Sequence, residues 1–372
     1  MTGTNERLQA LTDAGVSIWL DDLDRTRITS GQLAAMVATR SVRGVTTNPT
    51  IFDKAISTGA AAYAEQLTSL AAEGADVDAI IRALTTDDVR AACDVLHDLW
   101  VESGGVDGRV SIEVDPRLAH ETDTTAEQAV ELWGLVGRPN ALIKIPATAE
   151  GLPAITRTIA SGISVNVTLI FSIDRYRDVV EAYLAGLEGA AANGHDLSTI
   201  ESVASFFVSR IDTEVDSRLT ALGTDASADL LGKAAIASAR LAWAAHLDST
   251  STDRWAALAA QGANPQRPLW ASTGVKNPAY DPTRYVVDLV VRGCVNTMPE
   301  ATLEAVAAQG VIPADSVTGT AAESSQVWAD LAALGIEEVE VCELLEREGV
   351  TKFIDSWQQL RSTVAAAAQV EA

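Results

Sequence analysis

Positive charge is scarce in this chain. Its 372 residues include 27 Lys and Arg against 51 Asp and Glu, which gives a formal net charge of −24 and a pI near 4.4. A surface of this sign repels phosphate backbones and anionic lipid heads. The composition therefore argues against nucleic-acid and membrane partners. A small anionic substrate is still compatible with a local basic cluster.

Cysteines and long apolar runs are also few. Cys93, Cys294 and Cys342 are odd in number and far apart, which favours reduced thiols over a disulfide framework. No run reaches about 18 consecutive apolar residues, and the first residues show no basic segment followed by an apolar one. We therefore expect a soluble cytoplasmic protein.

The sequence also lacks the usual patterns of metal and nucleotide sites. The histidines are isolated, without zinc-like spacing, and neither a dinucleotide-binding glycine motif nor a phosphate-binding loop of the Walker type is present. The histidines therefore have no assigned role, and nucleotide use is unsupported.

Short apolar or β-branched runs alternate with longer Ala/Leu-rich stretches of helical spacing, which is typical of an α/β fold with a parallel sheet. Eight such runs joined by helices predict a (β/α)8 TIM barrel with additional helices. The runs lie at residues 16–22, 44–49, 109–115, 141–147, 163–170, 203–210, 268–273 and 293–298.

The length beyond a minimal barrel falls mainly at residues 53–108, 211–267 and 299–372. None of these segments contains the Pro/Gly/Ser-rich linker that marks a domain boundary. We therefore predict one barrel domain over residues 1–372, with helical insertions and C-terminal helices.

The predicted strands alternate between an apolar and a polar face. Ser111, Glu113 and Asp115 share one face of the third run, and Asn166 and Thr168 share one face of the fifth. If the polar faces point inward, the barrel holds chemistry and not only packing; half-buried strands with a solvated outer face are the alternative. The other residues predicted to point inward are Ser17, Trp19, Asp21, Thr46, Asn48, Lys144, Ser205, Trp270 and Ser272.

Lys144 is the first candidate for chemistry. It is one of only five lysines and stands alone in the apolar run 141–147, where an ammonium ion is costly to bury unless it is paired or loses its proton. A desolvated lysine can attack carbonyls and form a Schiff base. The alternatives are a lysine that extends to solvent from a strand end and an ion pair that only supports the structure.

Seven collinear segments together resemble the transaldolase family. They include the TTNP turn and the strand that carries Lys144. The resemblance implies a class I aldolase-type barrel that transfers a dihydroxyacetone unit from a ketose phosphate to an aldose phosphate in the non-oxidative pentose phosphate pathway, with no metal or organic cofactor. The segments are SIWLDDLDR at 17–25, GVTTNPTIF at 44–52, SIEVDPR at 111–117, IKIPAT at 143–148, NVTLIF at 166–171, SFFVSRID at 205–212 and LWASTGVKNP at 269–278.

The resemblance also implies a role for each matched residue. Lys144 is the Schiff-base lysine, Glu113 and Asp21 are acid/base carboxylates, and Thr168 holds a catalytic water with Glu113. The expected substrate-binding residues are Asn48 and Asn166 for the dihydroxyacetone unit, and Ser205, Arg210, Ser272 and Lys276 around the phosphate. Many family members have an arginine where this chain has Lys276. The motifs do not explain the C-terminal segment 300–372.

Three other interpretations of these residues are considered. Asp21, Glu113 and Asp115 would hold Mg²⁺ in an enolase-like site with Lys144 as base. A fructose-6-phosphate aldolase would use the same lysine with free dihydroxyacetone, usually in a shorter chain. A catalytically silent barrel would have lost the lysine or a carboxylate, and both are present. The oligomeric state stays open, with a homodimer as one option.

Overall fold

Eight parallel strands close into a barrel in the computed structural model, which describes residues 3–370. Each strand pairs with the next along the chain, and the last pairs with the first. The predicted (β/α)8 TIM barrel is thereby confirmed. The strands are β1 (Ser17–Leu20), β2 (Val42–Val45), β3 (Arg109–Glu113), β4 (Ala141–Pro146), β5 (Val165–Ile170), β6 (Ser202–Phe207), β7 (Arg267–Ala271) and β8 (Val295–Met298). The predicted single domain spans 1–372, so its first two and last two residues lie outside the described ones.

Helices surround the barrel and also cross its carboxyl-terminal end. They are α1 (Glu6–Asp13), α2 (Arg25–Thr29), α3 (Gln32–Arg40), α4 (Pro49–Thr58), α5 (Ala60–Ala72), α6 (Val77–Val95), α7 (His97–Glu102), α8 (Thr122–Val136), α9 (Gly151–Ala160), α10 (Ile173–Ala192), α11 (Ser209–Leu222), α12 (Asp225–Ala228), α13 (Ala234–Thr250), α14 (Asp253–Ala259), α15 (Arg284–Val287), α16 (Glu300–Gln309), α17 (Ala321–Ala333) and α18 (Glu338–Ala368). Between residues 3 and 370, no helix combines the length and apolar character needed to cross a bilayer.

The core lies between the barrel and its helices. Alternation along β4 directs Ile143 and Ile145 outward, where both are fully buried, and directs Lys144 to the interior. Inside the barrel, the indole of Trp19 fills the space beside β2. A side chain at Gly44 would place its Cβ only 2.6 Å from that ring, so this packing requires glycine.

An ionic cluster closes the amino-terminal end of the barrel. Asp107 accepts a hydrogen bond from Ser17 at 2.7 Å and pairs with Arg43 at 2.6 Å. Arg267 extends across the barrel to Ser17 at 3.0 Å and to Asp107 at 3.3 Å. Both terminal guanidinium nitrogens of Arg267 have partners, because Nη2 also donates to the Val106 carbonyl, and these contacts compensate much of the cost of burying the charge. These inward polar residues therefore serve structure and not chemistry.

Two strand interpretations need correction. The sequence predicts the second strand at 44–49, but β2 covers Val42–Val45. Beyond it, Asn48 caps the start of α4, where its side chain accepts a hydrogen bond from the Ile51 amide and Pro49 is the first helical residue. Trp270 was expected to point inward with Ser272. Instead its indole donates to the Leu289 carbonyl, outside the barrel. Ser272 follows the end of β7 with a φ of 55°, so the alternation does not extend to it.

The buried Glu201 at the start of β6 makes stability depend on pH. Burial raises its pKa from 4.5 to about 7, although Arg109 and Arg267 act in the opposite direction. Between these values the folded protein keeps a proton that the unfolded chain releases, so the free energy of unfolding falls as pH rises. We expect Glu201→Gln to lack this decline, which is on the order of 3 kcal/mol between pH 4.5 and 7. Urea unfolding of both proteins at pH 5 and 8 measures it; parallel pH profiles would contradict the assignment.

Candidate active site

A cavity of about 280 Å³ opens at the carboxyl ends of the strands. In barrels of this type, the loops at this end carry the functional residues. Eight of the ten site residues predicted from the sequence line it: Asp21, Asn48, Lys144, Thr168, Ser205, Arg210, Ser272 and Lys276. Glu113 and Asn166 lie directly behind this lining, in contact with its members.

Lys144 lies at the centre of the site and is 5 % exposed. The register of β3 on β4 sets Glu113 directly beside it, and the Nζ atom is 3.4 Å from Glu113 Oε2. The Nζ atom also donates to the Thr47 carbonyl at 3.1 Å. Opposite charge and a hydrogen bond thus compensate the buried ammonium ion.

The two carboxylates near Lys144 both have a raised pKa. Burial raises the pKa of Glu113 to about 7, with Lys144 opposing the shift. Burial also raises the pKa of Asp21, again against the influence of Lys144. Asp21 accepts a hydrogen bond from Thr46 at 2.7 Å, and Thr46 contacts the Thr297 hydroxyl at 2.6 Å. Glu113 is therefore poised to exchange protons near neutral pH, and Asp21 holds its proton to a higher pH than an exposed aspartate does.

A hydrogen-bonded row of polar side chains crosses the barrel below the lysine. Ser205 donates to Asn166 Oδ1 at 2.7 Å, and Asn166 Nδ2 donates to Ser111 at 3.0 Å. Thr168 is fully buried, and its hydroxyl has no hydrogen-bond partner among the described residues. Glu113 Oε2 is likewise without one there. A bound water could form hydrogen bonds with these two buried oxygens.

Asp115 does not join the site. It follows the end of β3, and its carboxylate pairs with Arg117 at 2.5 Å. Its expected place on the inner face beside Glu113 is thus wrong, because the strand ends before it. Across residues 3–370, no group of three or more His, Cys, Asp and Glu is arranged to ligate a metal ion.

One side of the cavity is cationic. Arg210 lies 5.3 Å from the centroid of the Phe207 ring, and its Nη1 atom is buried with no hydrogen-bond partner in the described chain. Burial lowers the pKa of Arg210. Lys276 is exposed at the rim, and Ser272 contacts the Ser209 hydroxyl at 2.9 Å. Because Arg210 Nη1 has no hydrogen-bond partner among residues 3–370, this guanidinium suits an anionic group of a ligand.

Two residues at this cavity, Thr46 and Phe353, are not among the ten predicted site residues. The sequence predicts Thr46 on the inner face, and the structure adds its hydrogen bond to Asp21. Phe353 comes from α18 and lines the cavity with its ring centroid 5.5 Å from Lys144 Nζ. No local signal could have found Phe353, because the sequence does not show where a C-terminal helix docks.

A buried amine with two carboxyl groups nearby, in a cavity that Arg210 also lines, is suited to covalent catalysis on a phosphorylated carbonyl compound. Comparison with known families agrees. The family described as Transaldolase/Fructose-6-phosphate aldolase matches residues 18–364. The chain belongs to this family.

Similar members of the transaldolase family come from actinobacteria and align over almost the whole chain. A transaldolase of Saccharopolyspora erythraea is 60% identical over 361 residues, which cover 97% of each chain. A transaldolase of Mycolicibacterium smegmatis is 61% identical over 356 residues, covering 96% of each. One from Mycobacterium tuberculosis strain CDC 1551 is 59% identical over 97% of this chain and 96% of its own. The family match, which ends at residue 364, includes most of the C-terminal helix α18.

Lys144 should control the titration of both carboxyl groups. Because its positive charge favours their ionised forms, Lys144→Ala should raise the pKa of Glu113 above about 7 and raise that of Asp21 as well. Infrared difference spectra of the protonated carboxyl band, recorded against pH, measure both. Lys276→Ala is the matched control and should shift Asp21 less, since Lys276 is the weaker influence on it. Equal shifts in the two variants would argue against the described geometry.

Proposed function

We propose that this protein is a transaldolase that works through a Schiff base on Lys144. It would transfer a dihydroxyacetone unit from sedoheptulose 7-phosphate or fructose 6-phosphate to glyceraldehyde 3-phosphate or erythrose 4-phosphate. The observation that carries the proposal is the buried Lys144 with its Nζ 3.4 Å from Glu113. The names of the relatives support the same activity.

The proposed chemistry assigns the two carboxyl groups different steps. Glu113, with a water held at Thr168, moves the protons needed to form and dehydrate the carbinolamine on Lys144. A pKa of about 7 suits this, because the group can give and take a proton near neutrality. Asp21 takes the proton from the hydroxyl on the carbon that becomes the aldehyde, as the bond between this carbon and the dihydroxyacetone unit breaks. Its hydrogen bond from Thr46 fixes the carboxylate for that step.

The remaining predicted residues would bind the substrate. Asn166 is oriented by Ser205 and Ser111, so its amide has a fixed direction toward the dihydroxyacetone unit. Asn48 uses its Oδ1 atom to cap α4, which leaves its amide nitrogen for the substrate. The phosphate would lie at the cationic side, with Arg210, Ser272 and Lys276.

The physiological setting is proposed on similar grounds. The reaction belongs to the non-oxidative pentose phosphate pathway. Cys93, Cys294 and Cys342 are all buried and free, as suits a reducing cytoplasm. A homodimer stays a proposal. A fructose-6-phosphate aldolase is the alternative activity; it would release free dihydroxyacetone, whereas a transaldolase requires an acceptor aldose.

Borohydride trapping tests the Schiff base. With fructose 6-phosphate as donor, reduction should fix a three-carbon adduct on Lys144, because this amine is the buried one beside two proton-transferring groups. Peptide mapping by mass spectrometry locates it. Lys144→Ala should lose turnover, while Lys276→Ala, as matched control, should still form the adduct. Labelling of Lys276 in the wild type would refute the assignment.

A double-mutant cycle tests the phosphate site. Because each charge-assisted hydrogen bond contributes about 1.5 to 3 kcal/mol, Arg210→Ala should raise KM for fructose 6-phosphate roughly tenfold to a hundredfold. For the wild type, KM for unphosphorylated fructose should be raised by a similar factor. The effect of the substitution and that of the missing phosphate should not add, since both remove the same contact. Arg218→Ala, on the same helix but paired with Glu214, is the control and should leave KM near the wild-type value. Strictly additive losses would place the phosphate elsewhere.

A further inference from the structure

The long C-terminal helix places an aromatic ring directly over the lysine. Phe353 is 6 % exposed, and its ring centroid lies 5.5 Å from Lys144 Nζ. The ring forms part of the wall of the 280 Å³ cavity, opposite the strand ends. The roles proposed above for the site residues leave this ring without a function.

The helix reaches this position through a close approach to β5. One turn before Phe353, a side chain at Gly349 would place its Cβ 3.1 Å from Leu169 Cδ2 and 3.4 Å from the Phe171 ring. Leu169 itself has a φ of 61°, at a point where the register of β5 on β6 shifts. The glycine in α18 and the irregularity in β5 thus both allow α18 to pack closely against the site.

Contacts along α18 hold the ring in place. Thr50, at the start of α4, donates to Ser356 at 2.8 Å. Further along the helix, Thr363 donates to Asp53 at 2.5 Å. Toward the other end, the Cys342 thiol lies 3.3 Å from the Phe171 carbonyl, to which it donates. Since the helix is anchored on both sides of Phe353, the ring is a fixed cover and not a loose side chain.

A fixed apolar cover matters for one branch point of the proposed reaction. After the carbon–carbon bond breaks, three carbons stay bound to Lys144 as an enamine. In transfer, that enamine attacks the aldehyde of the acceptor. In hydrolysis, a carboxyl group protonates the enamine carbon, water adds to the resulting imine carbon, and the carbon–nitrogen bond to Lys144 breaks as the amine takes up a proton. Free dihydroxyacetone then leaves, and the water consumed balances the water released when the imine formed.

We propose that Phe353 is a specificity-determining residue that favours transfer over hydrolysis by keeping water away from the Lys144 adduct. The inference rests on the proposed function. An aromatic ring offers a water molecule no ordinary hydrogen bond, so water at this side of Nζ would lose partners that it has in bulk. Arg210 and Lys276 line the same cavity as Phe353, so the acceptor phosphate has cationic partners there other than the ring.

The partition between the two outcomes tests the proposal. The wild type, Phe353→Ala and Phe353→Leu are given fructose 6-phosphate with and without erythrose 4-phosphate, and free dihydroxyacetone and transfer product are both measured. We expect the ratio of hydrolysis to transfer to rise about tenfold in Phe353→Ala, the factor that corresponds to 1.4 kcal/mol. Phe353→Leu keeps an apolar cover and should restore much of the wild-type ratio. In the absence of acceptor, the borohydride-trappable adduct should decay correspondingly faster in Phe353→Ala.

Leu360→Ala is the matched control for a loosened helix. Leu360 lies two turns further along α18 and is fully buried outside the cavity lining. Its variant should lose stability but keep the wild-type ratio. An equal rise in Leu360→Ala, or an unchanged ratio in Phe353→Ala with the adduct still formed, would overturn the role of Phe353 alone. Failure of the wild type to form any adduct would instead overturn the proposed function.

Discussion

The burial of one ammonium ion, that of Lys144, shapes the carboxyl-terminal end of the barrel. An isolated charge in this position would be unfavourable by several kcal/mol, so partners must be supplied by neighbouring strands. Parallel pairing of β3 with β4 places Glu113 directly beside it, and the turn after β2 brings the Thr47 carbonyl within hydrogen-bond distance. The same burial that makes the lysine costly raises the pKa of Glu113 to about 7. Charge compensation and proton transfer thus come from the same contacts.

Polar residues inside the barrel fall into two layers with different tasks. At the amino-terminal end, Ser17, Asp107 and Arg267 satisfy one another and fill the opening. Trp19 lies above this layer, with the Arg267 guanidinium 6.0 Å from its ring. At the opposite end, buried oxygens of Thr168 and Glu113 have no hydrogen-bond partner among the described residues. The ion pair of Arg267 with Asp107 marks the structural layer, whereas buried side-chain oxygens that face the cavity mark the layer arranged for a ligand.

Much of the fold was predictable from the sequence, since each of the eight strands is a short apolar run with a polar face. Lys144 was predictable for the same reason: a single charge in an apolar run is conspicuous. The corrections at Asn48 and Ser272 have a common cause, because alternation does not continue past the strand ends, where a helix cap and a positive φ redirect the chain. Trp270 lies inside β7 and was grouped with Ser272 on one face, so its orientation was wrong for the same reason. Phe353 could not be placed, since its position depends on packing between α18 and β5, which are far apart in sequence. The matched segments end at residue 278, so they give no information on α18.

The ionic cluster at the base has a kinetic consequence. With Arg267 and Asp107 closing the amino-terminal end at 8 % and 6 % exposure, the barrel is not an open tunnel, and the cavity lies at the carboxyl ends of its strands. In the proposed reaction, the first aldose phosphate must leave from this end before the second aldose phosphate enters there. Both then compete for a single anion-binding side, so donor and acceptor occupy it in turn. The architecture therefore favours double-displacement kinetics, with each sugar phosphate acting as a competitive inhibitor of the other's half-reaction.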